Sequence, residues 1–244
     1  MMKKIAFVCC LLLVVACSAS VFAQTVTKPF NGKNLDGWKK VRPEENFLWR
    51  VGAATLASEN SREFSFVPLE DPDKIAYLVS LAGGDWGKNG LFRGGDLCTE
   101  KTFGDCTVEV EFVMAKGSNS GVYLMGEYEV QVADGWGKTG PMSQGDIGAI
   151  YSAAAPEVNA AKAPGQWQKF IIEFQAPKFD ANGNKTVNAK FLKITLNGKV
   201  VQENVEVKGS TGGGVTGHEV AKGPLMLQGN HGPVAFRNIV ITEK

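Results

Sequence analysis

The sequence predicts an all-β protein that folds as a sandwich of two antiparallel sheets. Short runs of alternating apolar and polar residues recur along the chain, which is typical of half-buried strands. The clearest run spans residues 107–114, in which Val108, Val110, Phe112 and Met114 share one face. Helical periodicity is almost absent, and 29 glycines supply turns at short intervals. About eight to twelve such strands indicate a sandwich or barrel, and apolar residues on both faces of several strands favour the sandwich.

The other strands follow from the same alternation and from the turn residues between runs. Asn197-Gly198 stands between two β-prone runs, which is a strong signal for a hairpin. The predicted strands after residue 114 cover residues 121–125, 128–132, 170–174, 191–196, 199–207 and 234–242. The glycine-rich composition of residues 209–217 predicts a flexible loop. No lysine follows these glycines, so the segment does not match a phosphate-binding motif.

The first 23 residues have the layout of a secretory signal. Two early lysines precede an apolar run over residues 5–16, and Ala23 ends a small-residue cleavage site. The apolar run is shorter than the roughly 20 residues that a transmembrane helix needs. In a second interpretation Cys17 ends a lipobox-like Val-Val-Ala-Cys and would carry a lipid anchor. Both interpretations predict export to the periplasm or beyond, with residues 24–244 as a single domain.

The charge balance excludes one class of partner. The chain has 26 basic and 25 acidic side chains, and removal of the signal takes away two lysines, which leaves a net charge of roughly −1. No basic run offers an electrostatic footprint for nucleic acid. No later apolar stretch approaches membrane-spanning length. We therefore expect partners that are neutral or small.

Only two cysteines lie outside the signal, Cys98 and Cys106. An oxidising compartment would permit a disulfide between them, which would close a short loop between two strands. Because the sequence does not give the Cα separation that a disulfide requires, both the bridge and two free thiols stay open. The pair lacks the clustered cysteine and histidine spacing of a zinc site.

One predicted strand carries polar residues that could do chemistry. In a strand beginning at Tyr128, Glu129 and Gln131 point away from the core, roughly 6.5 to 7 Å apart along the strand. Such groups could hold sugar hydroxyls or exchange protons, or they could simply face solvent on an outer sheet. Asp134 would reach the same side of the sheet through a β-bulge near Ala133.

Aromatic and amide residues lie close to this strand in the sequence. Rings that stack on sugar C–H faces, beside groups that hydrogen-bond hydroxyls, are what a carbohydrate site needs. His231 stands near two glycines just before the last strand and adds an imidazole. The neighbouring candidates for sugar binding are Asn119, Tyr123, Trp136, Tyr151 and Gln228.

Three ordered elements resemble a known family. The opening FNGKNLDGW resembles the family's FNGKDLxGW. The middle pattern NSGxYxxG, YEVQxxD and GAIY is present in order, and the closing element reads LQGNHGPVAFRNI. These elements occupy residues 30–38, 119–126, 128–134, 148–151 and 227–239. Over essentially the whole chain after the signal, the sequence is similar to the 3-keto-disaccharide hydrolase domain family.

The resemblance implies a concanavalin A-like jelly-roll and activity on disaccharides or other glycosides oxidised at C3. A ketone at C3 acidifies the proton on C2, so a base could remove that proton and expel a group by elimination. This route needs a base, an acid and polarisation of the ketone. The motif match implies catalytic roles for Glu129, Asp134 and His231. It implies substrate binding by Gln131, Asn119, Tyr123, Tyr151 and Gln228.

The sequence departs from the family pattern at two places, and two other functions are alternatives to activity on 3-keto-glycosides. Val132-Ala133 precedes Asp134 where the family usually has another pair, and Met125 stands where arginine is frequent. The strand also resembles the E-x-D-x-x-E strand of retaining glucanases, but Gln131 cannot act as the middle acid. A lectin-like module that only binds sugar is the second alternative.

Two further roles stay open from the sequence. A divalent metal held by Glu129, Asp134 and His231 could polarise a 3-ketone. Arg237 in the last strand is either a substrate contact or an ion-paired structural group.

Overall fold

The structure is a computed structural model that describes residues 24–68, 77–81 and 94–244. The predicted signal with Cys17 lies outside these ranges. Within the ranges all regular structure is β, and no helix of the length and apolar character that would cross a membrane is found there. The strands are β1 (Thr25–Thr27), β2 (Trp38–Lys40), β3 (Trp49–Thr55), β4 (Ser65–Pro68), β5 (Tyr77–Ser80), β6 (Leu97–Phe103), β7 (Cys106–Met114), β8 (Asn119–Leu124), β9 (Tyr128–Ala133), β10 (Gln168–Gln175), β11 (Lys178–Phe179), β12 (Lys185–Val187), β13 (Ala189–Leu196), β14 (Lys199–Val207), β15 (Gly223–Leu227) and β16 (Val234–Glu243).

Two antiparallel sheets contain most of these strands. The larger sheet runs in the order β14-β13-β10-β7-β16-β5-β3-β4, with β1 beside β16. The smaller sheet runs β2-β6-β15-β8-β9, and β11 and β12 form a separate hairpin. Apart from the consecutive pairs β3-β4, β8-β9 and β13-β14, the neighbours in these two sheets are not consecutive along the chain, as a jelly roll requires. The predicted all-β jelly-roll sandwich is confirmed.

The core lies between the sheets and is built from the predicted alternation. Phe112 and Phe170 of the larger sheet stack with ring centroids 5.0 Å apart. Tyr128 of the smaller sheet packs against Phe174 of the larger one at 5.4 Å, which joins the two layers. Burial of each such ring contributes about 1.5–3 kcal/mol. One face of β9, which carries Tyr128, Val130 and Val132, therefore lies in the core, and the opposite face of the strand does not.

The Asn-Gly hairpin is confirmed as well. Asn197 and Gly198 have φ angles of 52° and 82° and connect β13 to β14. Positive φ at both central residues matches the right-handed twist of the paired strands, which is why this dipeptide favours the turn.

The two cysteines do not form a disulfide. Both thiols are free and buried. Cys106 belongs to the main core, whereas Cys98 lies on the outer face of the smaller sheet against Tyr123 and Met226. The two side chains thus occupy different layers of the sandwich, so of the two possibilities that the sequence left open, the structure has the free thiols.

Candidate functional site

The outer face of the smaller sheet gathers polar side chains in two successive rows. Tyr123 of β8 lies opposite Glu129 of β9, and Gly121 lies opposite Gln131. Gln228, just after β15, donates its backbone N–H to the Gly121 oxygen at 3.0 Å and so extends the second row. Directly opposed residues of antiparallel strands share a face. We call Tyr123, Glu129, Gln131 and Gln228 the polar face.

Glu129 is buried, with only 3% of its surface exposed. Burial is the main cause that raises the pKa of the Glu129 carboxyl to about 7, and the nearby Asp96 carboxylate also acts to raise it. A hydrogen bond from Tyr123 acts in the opposite direction. The solvent-facing position considered for this strand is therefore wrong. The carboxyl is divided between its charged and neutral forms near neutral pH, which suits proton transfer.

Tyr123 is the nearest partner of Glu129 on the polar face. Burial, together with the Glu129 and Asp96 carboxylates, raises the pKa of Tyr123 well above the usual tyrosine range. Its hydroxyl also accepts a hydrogen bond from the Gln228 amide at 3.3 Å. Tyr123 consequently stays protonated and is available as a donor.

Two amide oxygens on the polar face have no hydrogen-bond partner among the described residues. They are the side-chain oxygens of Gln131 and Gln228, both buried. A buried acceptor without a donor costs about 1–3 kcal/mol. Both oxygens therefore keep their capacity to accept hydrogen bonds.

Asp96 is a buried acid on this face that sequence reasoning missed. It is 2% exposed, and one carboxylate oxygen accepts the Gly229 N–H at 3.0 Å. The other oxygen pairs with Arg42 at 3.3 Å. Burial raises the pKa of Asp96 although Gly229 and Arg42 act against it. No sequence motif marks Asp96, because only the folding of the smaller sheet brings its carboxylate close enough to affect the pKa of Glu129.

Tyr151, a predicted substrate-binding residue, lies at the edge of the polar face. Its backbone N–H donates to the Glu129 carbonyl at 3.1 Å, and the side chain is 40% exposed. Met125, which replaces the arginine frequent in the family, belongs to the main core and does not line the polar face.

The other predicted site residues lie at the far end of β8 and β9. Asn119 pairs with Ala133 there, two rows from Glu129. His231 follows β15, its ring contacts the Asn230 amide, and burial lowers its pKa. The next residue, Gly232, packs against Ser118 and Asn119. Along the strand, Asn119 lies roughly 13 Å from the row that contains Glu129.

Asp134 and Trp136 belong to the same end. Pairing of β8 with β9 is regular up to Ala133, so the bulge expected near that residue is not formed. The Asp134 carboxylate accepts the backbone N–H groups of Gly117 at 2.9 Å and Trp136 at 3.2 Å. The Trp136 ring is 58% exposed and could contact an outer sugar unit. We propose that Asp134 orders this loop.

A metal centre has no prepared ligand set in the part of the chain that the structure describes. No three His, Cys, Asp or Glu side chains of those residues gather closely enough to hold an ion. Among the described residues, Glu129, Asp134 and His231 do not form such a cluster.

Arg237 and an open cleft lie on the opposite surface of the sandwich. The Arg237 guanidinium donates to Glu111 at 2.7 Å and stacks 3.8 Å from the centre of the Trp167 ring. Arg237 is thus ion-paired. Trp167 itself packs on the outside of the larger sheet. The cleft, about 330 Å³ in volume and lined by Trp167, Gln168 and Thr195 among others, shares no residue with the polar face.

Comparison with known families identifies the domain. The profile of the 3-keto-alpha-glucoside-1,2-lyase-like domain matches residues 25–242. The chain belongs to this family. The match spans both sheets and therefore includes every residue of the polar face. No curated protein sequence matches the chain.

Solved structures agree with this family membership. A candidate glycosyl hydrolase from Parabacteroides distasonis is 25% identical, with a TM-score of 0.62, and the match covers 90% of this chain and 84% of that one. A second candidate glycosyl hydrolase from the same organism is 17% identical, with a TM-score of 0.56, and the match covers 90% and 94%. The second likeness shows the fold alone. The family and the first of these two structures support a carbohydrate-active function.

Proposed function

We propose that this domain cleaves 3-keto-glycosides by elimination across C1 and C2, with Glu129 as the base. The observation that carries the proposal is the buried Glu129 carboxyl, which lies beside the protonated Tyr123 and has a pKa of about 7. An ordinary exposed glutamate, with a pKa of about 4.3, would be a weaker base.

The proposed reaction balances without an external oxidant or reductant. The Glu129 carboxylate takes the C2 proton, and the electron pair of that C–H bond enters an enolate with the C3 oxygen. When the C3 carbonyl reforms, a C1–C2 double bond is created and the glycosidic C1–O bond breaks. The departing oxygen takes up a proton. Addition of water to C1, with return of a proton to C2, would complete a net hydrolysis.

The remaining polar-face residues have roles that follow from their hydrogen-bonding capacity. Tyr123 can donate its hydroxyl proton to the enolate oxygen or to the departing oxygen. The unpartnered oxygens of Gln131 and Gln228 would accept bonds from sugar hydroxyls. Asn119, Tyr151, Trp136 and His231 would contact the rest of the substrate. Such a substrate reaches the domain outside the cytoplasm, if the predicted export by residues 1–23 or through Cys17 takes place.

Substrate choice is the first test of the proposal. Purified domain incubated with a 3-keto-disaccharide is expected to release the monosaccharide, whereas the unoxidised parent disaccharide should stay intact because its C2 proton is not acidic. Chromatography of the products measures both. Binding of both sugars with no product would favour a lectin-like module, and cleavage of the parent would favour an ordinary glycosidase.

The pH dependence separates a base from an acid at Glu129. If Glu129 acts as a base, kcat/KM rises with pH and levels off above an apparent pKa of about 7, because only the carboxylate can take the C2 proton. If Glu129 were the acid of a retaining glycosidase, kcat/KM would fall above that pH. A profile from pH 5 to 9 with the 3-keto-disaccharide decides between them.

A further inference from the structure

The glycine-rich residues 209–217 are held down on the smaller sheet. We call them the covering loop. The Thr211 N–H donates to the Glu127 carbonyl at 3.0 Å, and the Val215 N–H donates to the Gly126 carbonyl at 2.8 Å. The Arg42 guanidinium reaches the Gly214 carbonyl at 3.3 Å. The flexible loop expected from composition is therefore fixed at several points.

The side chain of Glu127 makes the largest share of these contacts. Its carboxylate is buried, with 2% of the residue exposed. One oxygen accepts the Thr216 N–H and the Thr216 hydroxyl, both at 2.8 Å, and the other accepts the Gly217 N–H at 3.0 Å. Hydrogen bonds to a carboxylate acceptor are stronger than those to a neutral acceptor.

The covering loop contacts both Tyr123 and Glu129. The Thr211 hydroxyl accepts the Glu129 N–H at 2.9 Å. Gly213 approaches the Tyr123 hydroxyl so closely that a Cβ atom at this position would lie 2.9 Å from it. Val215 packs on the cluster that contains Tyr123. Gly213 and Val215 thus pack against the Tyr123 side chain, and Thr211 binds the backbone of Glu129.

We propose that Glu127 is a positioning residue for Glu129, because its carboxylate holds the covering loop against the Tyr123–Glu129 pair and keeps that pair dry. The catalytic consequence rests on the function proposed above, in which Glu129 is the base. Glu127 itself would touch no substrate.

The consequence for Glu129 follows from the cause of its high pKa. Burial is the largest contribution, so entry of water would lower the pKa toward the ordinary value of about 4.3. The other groups that face Glu129 are Tyr123, Tyr151 and Asp96, with Arg42 behind Asp96. None of them is bonded to the Glu127 side chain, so its replacement leaves their charges in place.

The test is a Glu127→Gln variant followed by ¹³C NMR titration of its side-chain carboxyl carbons, with the Glu129 signal assigned from Glu129→Gln. The glutamine would turn an N–H₂ group toward the loop N–H donors. We expect the Glu129 pKa to fall by at least one unit and the Thr216 and Gly217 amides to exchange faster. The acid limb of the kcat/KM profile should move down by the same amount.

Glu219→Gln is the matched control. Glu219 accepts bonds from Tyr128 and Lys185 just beyond the covering loop, at 2.5 Å each, and does not bond to the loop itself. Its replacement should leave the Glu129 titration unchanged. Should Glu127→Gln not fold, Thr216→Val removes one of the same bonds, and a smaller shift in the same direction is expected.

An unchanged Glu129 pKa in a folded Glu127→Gln variant with fast loop exchange would overturn the inference, as would an unchanged pKa in Thr216→Val. The titration needs no substrate. A wild-type domain inert toward 3-keto sugars, combined with a shifted pKa in Glu127→Gln, would therefore count against the proposed function and not against the role of Glu127.

Discussion

Replacement of Glu129 by glutamine is expected to lower kcat/KM for a 3-keto-disaccharide by about 10³-fold or more, which is within the usual contribution of a general base. Glutamine has nearly the same shape and keeps the contact with Tyr123, but it cannot take the C2 proton. Steady-state kinetics at pH 8, where wild-type Glu129 is charged, give the largest difference.

The same variant should be more stable than the wild type at high pH. Because the pKa of Glu129 is raised in the folded state, the folded protein binds this proton more tightly than the unfolded chain does. Wild-type stability therefore falls as the pH rises from about 4.3 to about 7 and stays lower above that range. Urea unfolding at pH 8 should show Glu129→Gln stabilised by on the order of 3 kcal/mol, with almost no difference at pH 4.

Glu203→Gln serves as the control for both readouts, because Glu203 is exposed on β14 in the other sheet. It should change neither rate nor pH-dependent stability. A Glu129→Gln variant that retains wild-type turnover would refute the base assignment, whatever its stability.

Alanine at Gly121 is expected to reduce kcat by about 10²-fold, the loss that a misplacement of about 1 Å can cause. A Cβ atom at this position would lie 2.2 Å from a Glu129 carboxylate oxygen and 2.8 Å from two carbons of the same side chain. The buried Glu129 side chain must then move away from Tyr123. The backbone at Gly121 is not in the left-handed region, so the effect arises from this contact.

Gly145→Ala is the matched control, since nothing lies within 4 Å of a Cβ atom there and its φ is also ordinary. It should keep the wild-type kcat. A loss of rate in Gly121→Ala without any shift of the Glu129 carboxyl signal in NMR spectra would contradict the steric explanation, and so would an unchanged rate.

The strands and the two faces of β9 could be predicted because they depend on local alternation. Val130 and Val132 face the core, and Glu129 and Gln131 face away from it, as a period of two dictates. The Asn197-Gly198 turn is equally local. Such features need only the sequence within a few residues.

The environment of Glu129 could not be predicted, because it is assembled from distant segments. Asp96 lies 33 residues before Glu129 in the sequence, and the covering loop begins 80 residues after Glu129. Only the sheet order β6-β15-β8-β9 brings them together. Glycine-rich composition predicts a flexible loop, and it does not disclose that Glu127 would supply acceptors for that loop. Whether the polar strand is exposed or forms a buried proton-transfer site therefore depends on tertiary contacts, which the local sequence does not reveal.

The segment that carries Tyr151 covers the outer edge of β9, which affects whether another copy of the domain can add a strand there. Residues 148–151 run along the outer side of β9, where Gln131 exchanges backbone hydrogen bonds with Gly148 and Ala149, each at 2.9 Å. An uncovered edge strand offers a template for strand addition by another molecule. Here the backbone groups of the strand that bears Glu129 are already taken. We therefore expect that copies of this domain do not aggregate edge to edge through β9, even at high local concentration.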